Sequence, residues 1–145
     1  MKTKIKKQWY GKKKNAKELH NDNKFWLSEI GFVKDEMQFL EHLLGLNYID
    51  FLDTGLKENV TDVINEIKEE KNAINKLGLM IQEHDNVIGD LKSSVSLEHN
   101  LNYLESHLKL ERLMDLYYDK FKTIKRKLFK IVEFVANKKD VKKLI

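Results

Sequence analysis

The sequence contains no cysteine and no proline, and only six of its residues are glycine. Without cysteine the chain has no disulfide, no catalytic thiol and no cysteine-ligated zinc or iron–sulfur site. The lack of proline favours a helical protein, because sheets and their turns tend to recruit this residue. Few signals therefore interrupt the chain, and long continuous helices are expected.

Long apolar runs are also missing. No segment approaches the roughly 20 consecutive apolar residues of a transmembrane helix, and the basic N-terminus lacks the apolar stretch of a signal peptide. We therefore expect a cytoplasmic protein without a membrane span. No glycine-rich phosphate loop or nucleophile elbow occurs, and the carboxylates are spread along polar faces, so we predict no enzymatic activity and no cofactor.

The charge of the chain is unevenly distributed. A length of 145 residues, 41% hydrophobic and 34% charged, fits one domain of exposed helices with apolar stripes. Residues 1–24 hold nine lysines and two acidic residues, whereas residues 25–119 hold nineteen acidic and eight basic residues. Residues 120–145 hold ten basic and two acidic residues. The ends are basic and the middle is acidic.

The most regular pattern is a seven-residue repeat between residues 60 and 95. Two sites of the repeat are mainly apolar, while the outer sites are polar, which predicts a long helix that buries one seam against other helices. The first site is always β-branched: Val60, Ile67, Ile74, Ile81, Ile88 and Val95. The second site is Val63, Glu70, Leu77, His84 and Leu91, so Glu70 and His84 are polar exceptions within the seam.

Two further helices are predicted from alternating spacings of three and four residues. The first, about 23–53, has the stripe Trp26, Ile30, Val33, Met37, Leu40 and Leu44, and Asn21, Asp22 and Asn23 offer N-caps. Its end is predicted at Gly55 and Leu56, which suit the left-handed site and the following apolar site of a helix C-terminus. The last helix has the stripe Leu110, Met114, Tyr117, Phe121, Ile124, Leu128, Ile131 and Val135.

These patterns predict an all-α fold. We expect an elongated antiparallel up-down-up bundle of three long helices, about 23–53, 57–95 and 100–136, with coiled-coil-like heptad packing. The second turn falls within 92–103. Residues 1–21 are predicted to be a flexible Lys-rich arm, residues 22–136 the bundle, and residues 137–145 a frayed basic tail.

A second apolar row on the first helix is the strongest candidate for a partner interface. It lies about 130° around the helix from the centre of the main stripe, so one neighbouring helix cannot cover both. Either the last helix covers this row, or the row is exposed and binds another protein. We predict a non-enzymatic interaction or scaffolding module that forms a homodimer or docks a protein partner through Phe25, Phe32, Phe39 and Leu46.

Weak binding of nucleic acid or another polyanion is the first alternative. The chain has only two arginines, and lysine lacks the bidentate geometry that reads bases, so such binding would be salt-dependent and independent of sequence. The basic end of the third helix could contribute, or it could instead pair with acidic residues of the first two helices. The arm would use Lys4, Lys6, Lys7, Lys12, Lys13, Lys14 and Lys17.

A metal-binding bundle is the lesser alternative. None of the five histidines occurs in a Glu-x-x-His or His-x-x-x-His spacing. From the helical rise, His42 and His84 are expected more than about 20 Å apart. Only His20, His99 and His107 are predicted to approach one another, near the second turn. We therefore assign no metal ligands.

Overall fold

The computed structural model describes residues 14–91 and 101–144, and these residues are all-helical, without strands. Four helices follow one another: α1 (Ala16–Leu46), α2 (Tyr48–Asp53), α3 (Lys57–Leu91) and α4 (Leu101–Leu144). The predicted helical class is confirmed. Within the described ranges no helix is both long and apolar enough to cross a membrane.

Helix α1 begins at Ala16, so the predicted start near residue 23 was wrong. Asn15 caps the helix: its Oδ1 accepts from the Glu18 N–H at 2.9 Å, and the Glu18 carboxylate accepts from the Asn15 N–H at 3.2 Å. This reciprocal capping box satisfies two backbone donors at the helix start. Residues 16–21 of the predicted arm are therefore helical, and residues 1–13 lie outside the described part of the chain.

The predicted first helix is divided at Asn47, which gives four helices instead of three. The Asn47 side-chain amide donates to the Leu43 carbonyl at 2.8 Å, and the residue has φ −107° and ψ 11°. A side chain that competes for a helical carbonyl weakens the regular helix at this position. The short α2 then continues to Asp53 and buries Phe51.

The predicted turn after residue 53 is confirmed. Gly55 has φ +76°, the left-handed conformation that glycine adopts without steric cost. The Gly55 N–H donates to Leu52 O at 3.2 Å, and the Leu56 N–H donates to Phe51 O at 3.1 Å. These are the two hydrogen bonds of a Schellman motif, and Leu56 packs against the core that contains Phe51.

The end of the last helix differs from the prediction. Helix α4 continues to Leu144 and not to about 136, so residues 137–144 of the predicted tail are helical. One contact that favours this extension is Lys138 Nζ, which lies 4.7 Å from the centre of the Phe134 ring one turn earlier. Helix α3 is described as far as Leu91, and its predicted end near 95 lies outside the described residues. Residues 92–100, which contain most of the predicted turn, are outside the described ranges.

The three long helices share a main apolar core and a smaller second cluster. Every residue of the α3 seam from Val60 to Ile88 is buried, including Glu70 and His84, whereas the flanking Met80 and Val87 are exposed. The main core runs from Trp26 to Leu44 on α1, from Val60 to Ile81 on α3 and from Leu110 to Val135 on α4. The second cluster consists of Leu19, Ile88, Tyr103 and Leu104.

Side-chain contacts relate the levels of the helices. Between α1 and α3, Asn23 contacts Asp85, and Glu41 contacts Lys71. A higher residue number on α1 therefore pairs with a lower one on α3. Between α1 and α4, Asp22 contacts His107 and Glu36 contacts Lys125, so the residue numbers run in the same direction. The start of α1, the end of α3 and the start of α4 therefore lie together.

Candidate functional site: a buried polar network and an exposed apolar row

A chain of buried polar side chains crosses the three long helices between the two apolar clusters. Lys14 Nζ donates to Asp22 Oδ2 at 2.7 Å, and His107 Nε2 lies 2.8 Å from the same oxygen. The other nitrogen of His107, Nδ1, lies 2.9 Å from His84 Nε2. The chain therefore links the residue before α1 to α1, then to α4 and finally to α3.

A second branch of polar contacts lies beside this chain. Asp85 Oδ1 accepts from Asn23 Nδ2 at 3.0 Å and lies 2.8 Å from His20 Nδ1. The Tyr103 hydroxyl donates to the backbone carbonyl of His84 at 3.1 Å. The Tyr103 ring also stacks on the His84 ring, with centroids 4.0 Å apart, so hydrogen bonds and ring contacts hold the same side chains. We call Lys14, His20, Asp22, Asn23, His84, Asp85, Tyr103 and His107 the polar layer.

Burial controls the charge of the two histidines. His107 is fully buried and His84 nearly so. Burial lowers the pKa of His84 to about 4, with a further contribution from His107, and the charge of Asp85 opposes the change. Burial also lowers the pKa of His107, although its hydrogen bond to Asp22 acts in the opposite direction. Both imidazoles are therefore neutral at pH 7, because the protein interior disfavours their charged forms.

Neutral rings impose one direction of hydrogen bonding along the chain. Asp22 is the acceptor for Lys14, so the proton between Asp22 and His107 lies on His107 Nε2. His107 Nδ1 is then an acceptor, and His84 Nε2 carries the proton between the two rings. This leaves His84 Nδ1 unprotonated. His84 also lines a cavity of about 320 Å³ with Met80, Val87 and Leu110, among others.

The grouping of histidines differs from the prediction. His20 and His107 both lie in the polar layer but contact different carboxylates, Asp85 and Asp22. His84 also belongs to the layer, although the estimate from the helical rise did not place it near the other histidines. His99 lies outside the described residues. No group of three or more potential ligand residues in ranges 14–91 and 101–144 has a geometry that could hold a metal ion.

The described part of the chain contains two lysines of the predicted polyanion site, Lys14 and Lys17, and they lie in different surroundings. Lys14 is buried and paired with Asp22, which does not favour its contact with an external polyanion. The Lys17 side chain is exposed and lines a cavity of about 490 Å³ together with His20 and Asp85. Lys4, Lys6, Lys7, Lys12 and Lys13 lie outside the described residues.

The basic part of α4 pairs with acidic residues of the same chain, which was one of the two predicted possibilities. Lys125 Nζ lies 2.8 Å from the Glu36 carboxylate on α1. Lys127 Nζ lies 2.9 Å from the Glu66 carboxylate on α3. At least part of the positive charge of α4 is therefore engaged within the molecule.

The second apolar row of α1 is largely exposed. Phe32, Phe39 and Leu46 are 66%, 59% and 70% exposed, whereas Phe25 is half-buried and packs against the core. The alternative in which the last helix covers the row therefore does not apply to these three side chains. On α4, Phe129 is also 48% exposed.

Several residues of the polar layer were not identified from the sequence. Asp22 and Asn23 were interpreted as helix caps, yet Leu19, Asn23 and Trp26 continue the stripe of α1 upstream with the same four- and three-residue spacing. Polar residues within the seam concealed this continuation. The one signal that could have brought His84 and His107 together is that they flank the predicted second turn.

The sequence matches no protein-family model, and comparisons with the curated proteins and with the solved structures find no similar protein. The polar layer and the apolar row must therefore be interpreted from their own chemistry.

Proposed function

We propose that this protein is a non-enzymatic helical interaction module that forms a homodimer through one face of α1 and α4. In this proposal the three long helices form an elongated antiparallel bundle with coiled-coil-like packing, which α2 extends at one turn. The opposite order of contacts between α1 and α3, and the same order between α1 and α4, support this arrangement. A cytoplasmic location and the lack of enzymatic activity remain predictions.

The exposed row of α1 is the observation that carries the proposal. Phe32, Phe39 and Leu46 repeat every seven residues, so they form a nearly straight apolar line on the helix surface. Complete burial of a large apolar side chain contributes about 1.5–3 kcal/mol, so covering this line is favourable. Large exposed apolar patches on a protein surface mark interaction sites.

Residues on α4 widen the row into a face. The Glu36–Lys125 ion pair connects the two helices, and Phe39 and Phe129 each lie about one turn further along in the same direction. Both aromatic side chains are more than 40% exposed, at 59% and 48%. We call Phe32, Phe39, Leu46 and Phe129 the apolar face.

The charges around the apolar face favour a second copy as the occupant. Using 100° per residue, exposed Asp35 flanks the row on the side away from α4, and exposed Arg126 flanks Phe129 on the side away from α1. A two-fold axis parallel to the helices would place α1 of each copy over α4 of the other. Opposite charges would then meet at both edges of the interface, which favours this pairing.

Light scattering at low and high salt tests the proposal. We expect a dimer in both conditions, because the contact is mainly apolar, and a monomer for Phe32→Glu, which places a charge within the face. The matched control is Leu79→Glu, since Leu79 is equally exposed, at 67%, but lies on α3. A wild-type protein that is monomeric at both salt concentrations contradicts the proposal.

Polyanion binding is a second proposal with less support. The burial of Lys14 and the pairing of Lys125 and Lys127 remove three lysines from the available positive charge. Binding through the remaining lysines would weaken steeply with salt, because it depends on the release of counterions. The salt series therefore also separates this alternative from an apolar interface.

A further inference from the structure

The polar layer divides the packed interior into two unequal parts. On one side lies the main core, which extends along most of α1, α3 and α4. On the other side lies the small cluster of Leu19, Ile88, Tyr103 and Leu104. Among the described residues, few apolar side chains hold the first turns of α1, so the contacts of the polar layer account for a large share of the described attachment.

The hydrogen bond between the two rings requires a neutral His107, because His107 Nδ1 is its acceptor. The single proton between His84 Nε2 and His107 Nδ1, 2.9 Å apart, requires one ring to donate and the other to accept. If both nitrogens carried protons, two donors would face each other and the bond would be lost. Two charged rings with centroids 5.1 Å apart would also repel each other in a buried site.

Lys14 limits how well Asp22 can stabilise a charged His107. Its ammonium group and His107 Nε2 contact the same carboxylate oxygen, Oδ2, at 2.7 and 2.8 Å. The carboxylate already has a buried counter-ion, so protonation of His107 adds a second positive charge to a balanced pair. A surplus charge in a buried site is costly, and opening the site to water relieves it.

The remaining charged neighbours do not reverse this balance. Asp85 favours protonation of both histidines, but its carboxylate is shared with Asn23 and His20. Glu83 and Lys109, which have opposite charges, line the cavity beside His84. Two further titratable groups on the packed elements are Tyr103, whose pKa burial raises, and Glu111, a buried residue one turn after His107.

We propose that the polar layer is a proton-operated latch: proton uptake by His84 and His107 releases the first turns of α1, residues 16–23, from α3 and α4 while the main core stays folded. At neutral pH the latch is closed. Acidification shifts the equilibrium towards the open form, because water-exposed histidines bind protons that the closed layer excludes.

The sign and size of the effect follow from linkage. Exposed histidine has a pKa of about 6.5, whereas His84 in the closed layer has a pKa of about 4. The free energy that favours the closed form over the open form is therefore greatest above about pH 6.5, and it decreases as the pH falls towards 4. Between pH 7 and pH 5, His84 alone increases the opening equilibrium constant roughly twentyfold. His107 acts in the same direction.

Amide hydrogen exchange measured at pH 7 and pH 5 tests the latch. In a helix each N–H donates to the carbonyl four residues earlier, so the amides of residues 19–26 report on the first turns of α1. After correction for the intrinsic exchange rates, we expect the opening equilibrium constant measured at these amides to be at least tenfold larger at pH 5 than at pH 7. The amides of residues 33–44 should keep their protection. A nitrogen-15 titration of the imidazoles of the same sample should show His84 and His107 neutral at pH 7, with both rings protonated at Nε2.

Two variants separate the latch from general acid sensitivity. His84→Gln keeps a donor for His107 Nδ1, but glutamine does not titrate. The increase of the opening equilibrium constant between pH 7 and pH 5 should therefore be about twentyfold smaller than in the wild type. His42→Gln changes an exposed histidine of α1 and should leave the pH dependence unchanged. If His84→Gln does not fold, the wild-type exchange and imidazole data still test the proposal.

Three results would overturn the latch. The first is equal opening of residues 19–26 at both pH values. The second is loss of protection throughout α1 at the same pH, which indicates global unfolding. The third is titration of both rings near pH 6.5 while residues 19–26 stay protected, since proton uptake would then not be coupled to opening.

Discussion

The two ends of α1 are held by different kinds of interaction. From Trp26 to Leu44 the helix buries an apolar stripe against α3 and α4, and the contacts need no specific orientation of polar atoms. From Lys14 to Asn23 it is held by directed contacts to Asp85, Tyr103 and His107, together with the small cluster around Leu19. Apolar packing is insensitive to pH, whereas the polar layer depends on protonation, so the second region can respond to conditions that leave the first unchanged.

The largest effect is expected from Asp22→Ala. This change leaves the buried Lys14 ammonium without the carboxylate that lies 2.7 Å away, and it also removes the acceptor of His107 Nε2. Breaking a buried charge pair on one side typically costs about 3–5 kcal/mol. Chemical denaturation should show a loss of this size in the free energy of unfolding.

The matched control for Asp22→Ala is Glu36→Ala, which removes the carboxylate that pairs with Lys125. The Glu36 side chain is 51% exposed, so this change should cost less than about 1 kcal/mol. Equal losses of unfolding free energy for the two variants would mean that the Lys14–Asp22 pair is hydrated in solution. That result would contradict the view that buried polar contacts hold the start of α1.

A comparable but slightly smaller effect is expected in the apolar region. Leu128 is completely buried in the main core, and Leu128→Ala should cost about 2–5 kcal/mol through lost burial and the cavity left behind. Thermal or chemical unfolding measures the change, with Leu79→Ala as the exposed control within about 0.5 kcal/mol of wild type. Unlike the opening of the polar layer, the cost of Leu128→Ala should be the same at pH 7 and pH 5.

The smallest effect is expected for the surface pair Glu66–Lys127. The two side chains are 35% and 51% exposed, and a double-mutant cycle with alanine should give a coupling energy of about 0.2–1 kcal/mol. The value should decrease at high salt because exposed charges are screened. A coupling energy as large as the cost of Asp22→Ala would contradict the distinction between buried and exposed ion pairs.

Much of the helical structure was predictable because local signals agree with one another. The seam of α3 from Val60 to Ile88, the stripe of α1 from Trp26 and the stripe of α4 are buried as their spacing indicates, apart from the half-buried Tyr117. Gly55 and Leu56 end α2 with the hydrogen bonds that their sequence suggests. The division at Asn47 was less predictable, because one asparagine within a continuous apolar pattern is a weak signal.

The polar layer was the part that sequence patterns did not reveal. Periodicity identifies a buried face by its apolar residues, so Asp22, Asn23 and His84 were interpreted as caps or exceptions. Lys14 was assigned to an exposed arm because lysine is rarely buried without a counter-ion, and its counter-ion lies eight residues away. No local rule connects Asp22 with His107, 85 residues later.

By itself the sequence determined the helical class, the apolar seams and the turn at Gly55, because these features depend on interactions between residues close together in the chain. Only the tertiary structure decided which polar residues meet, that Lys14 is buried, and that Phe32, Phe39 and Leu46 are exposed. These outcomes depend on the rotation and level of one helix relative to another. Hydrogen bonds and ion pairs between distant residues then determine which buried groups are charged.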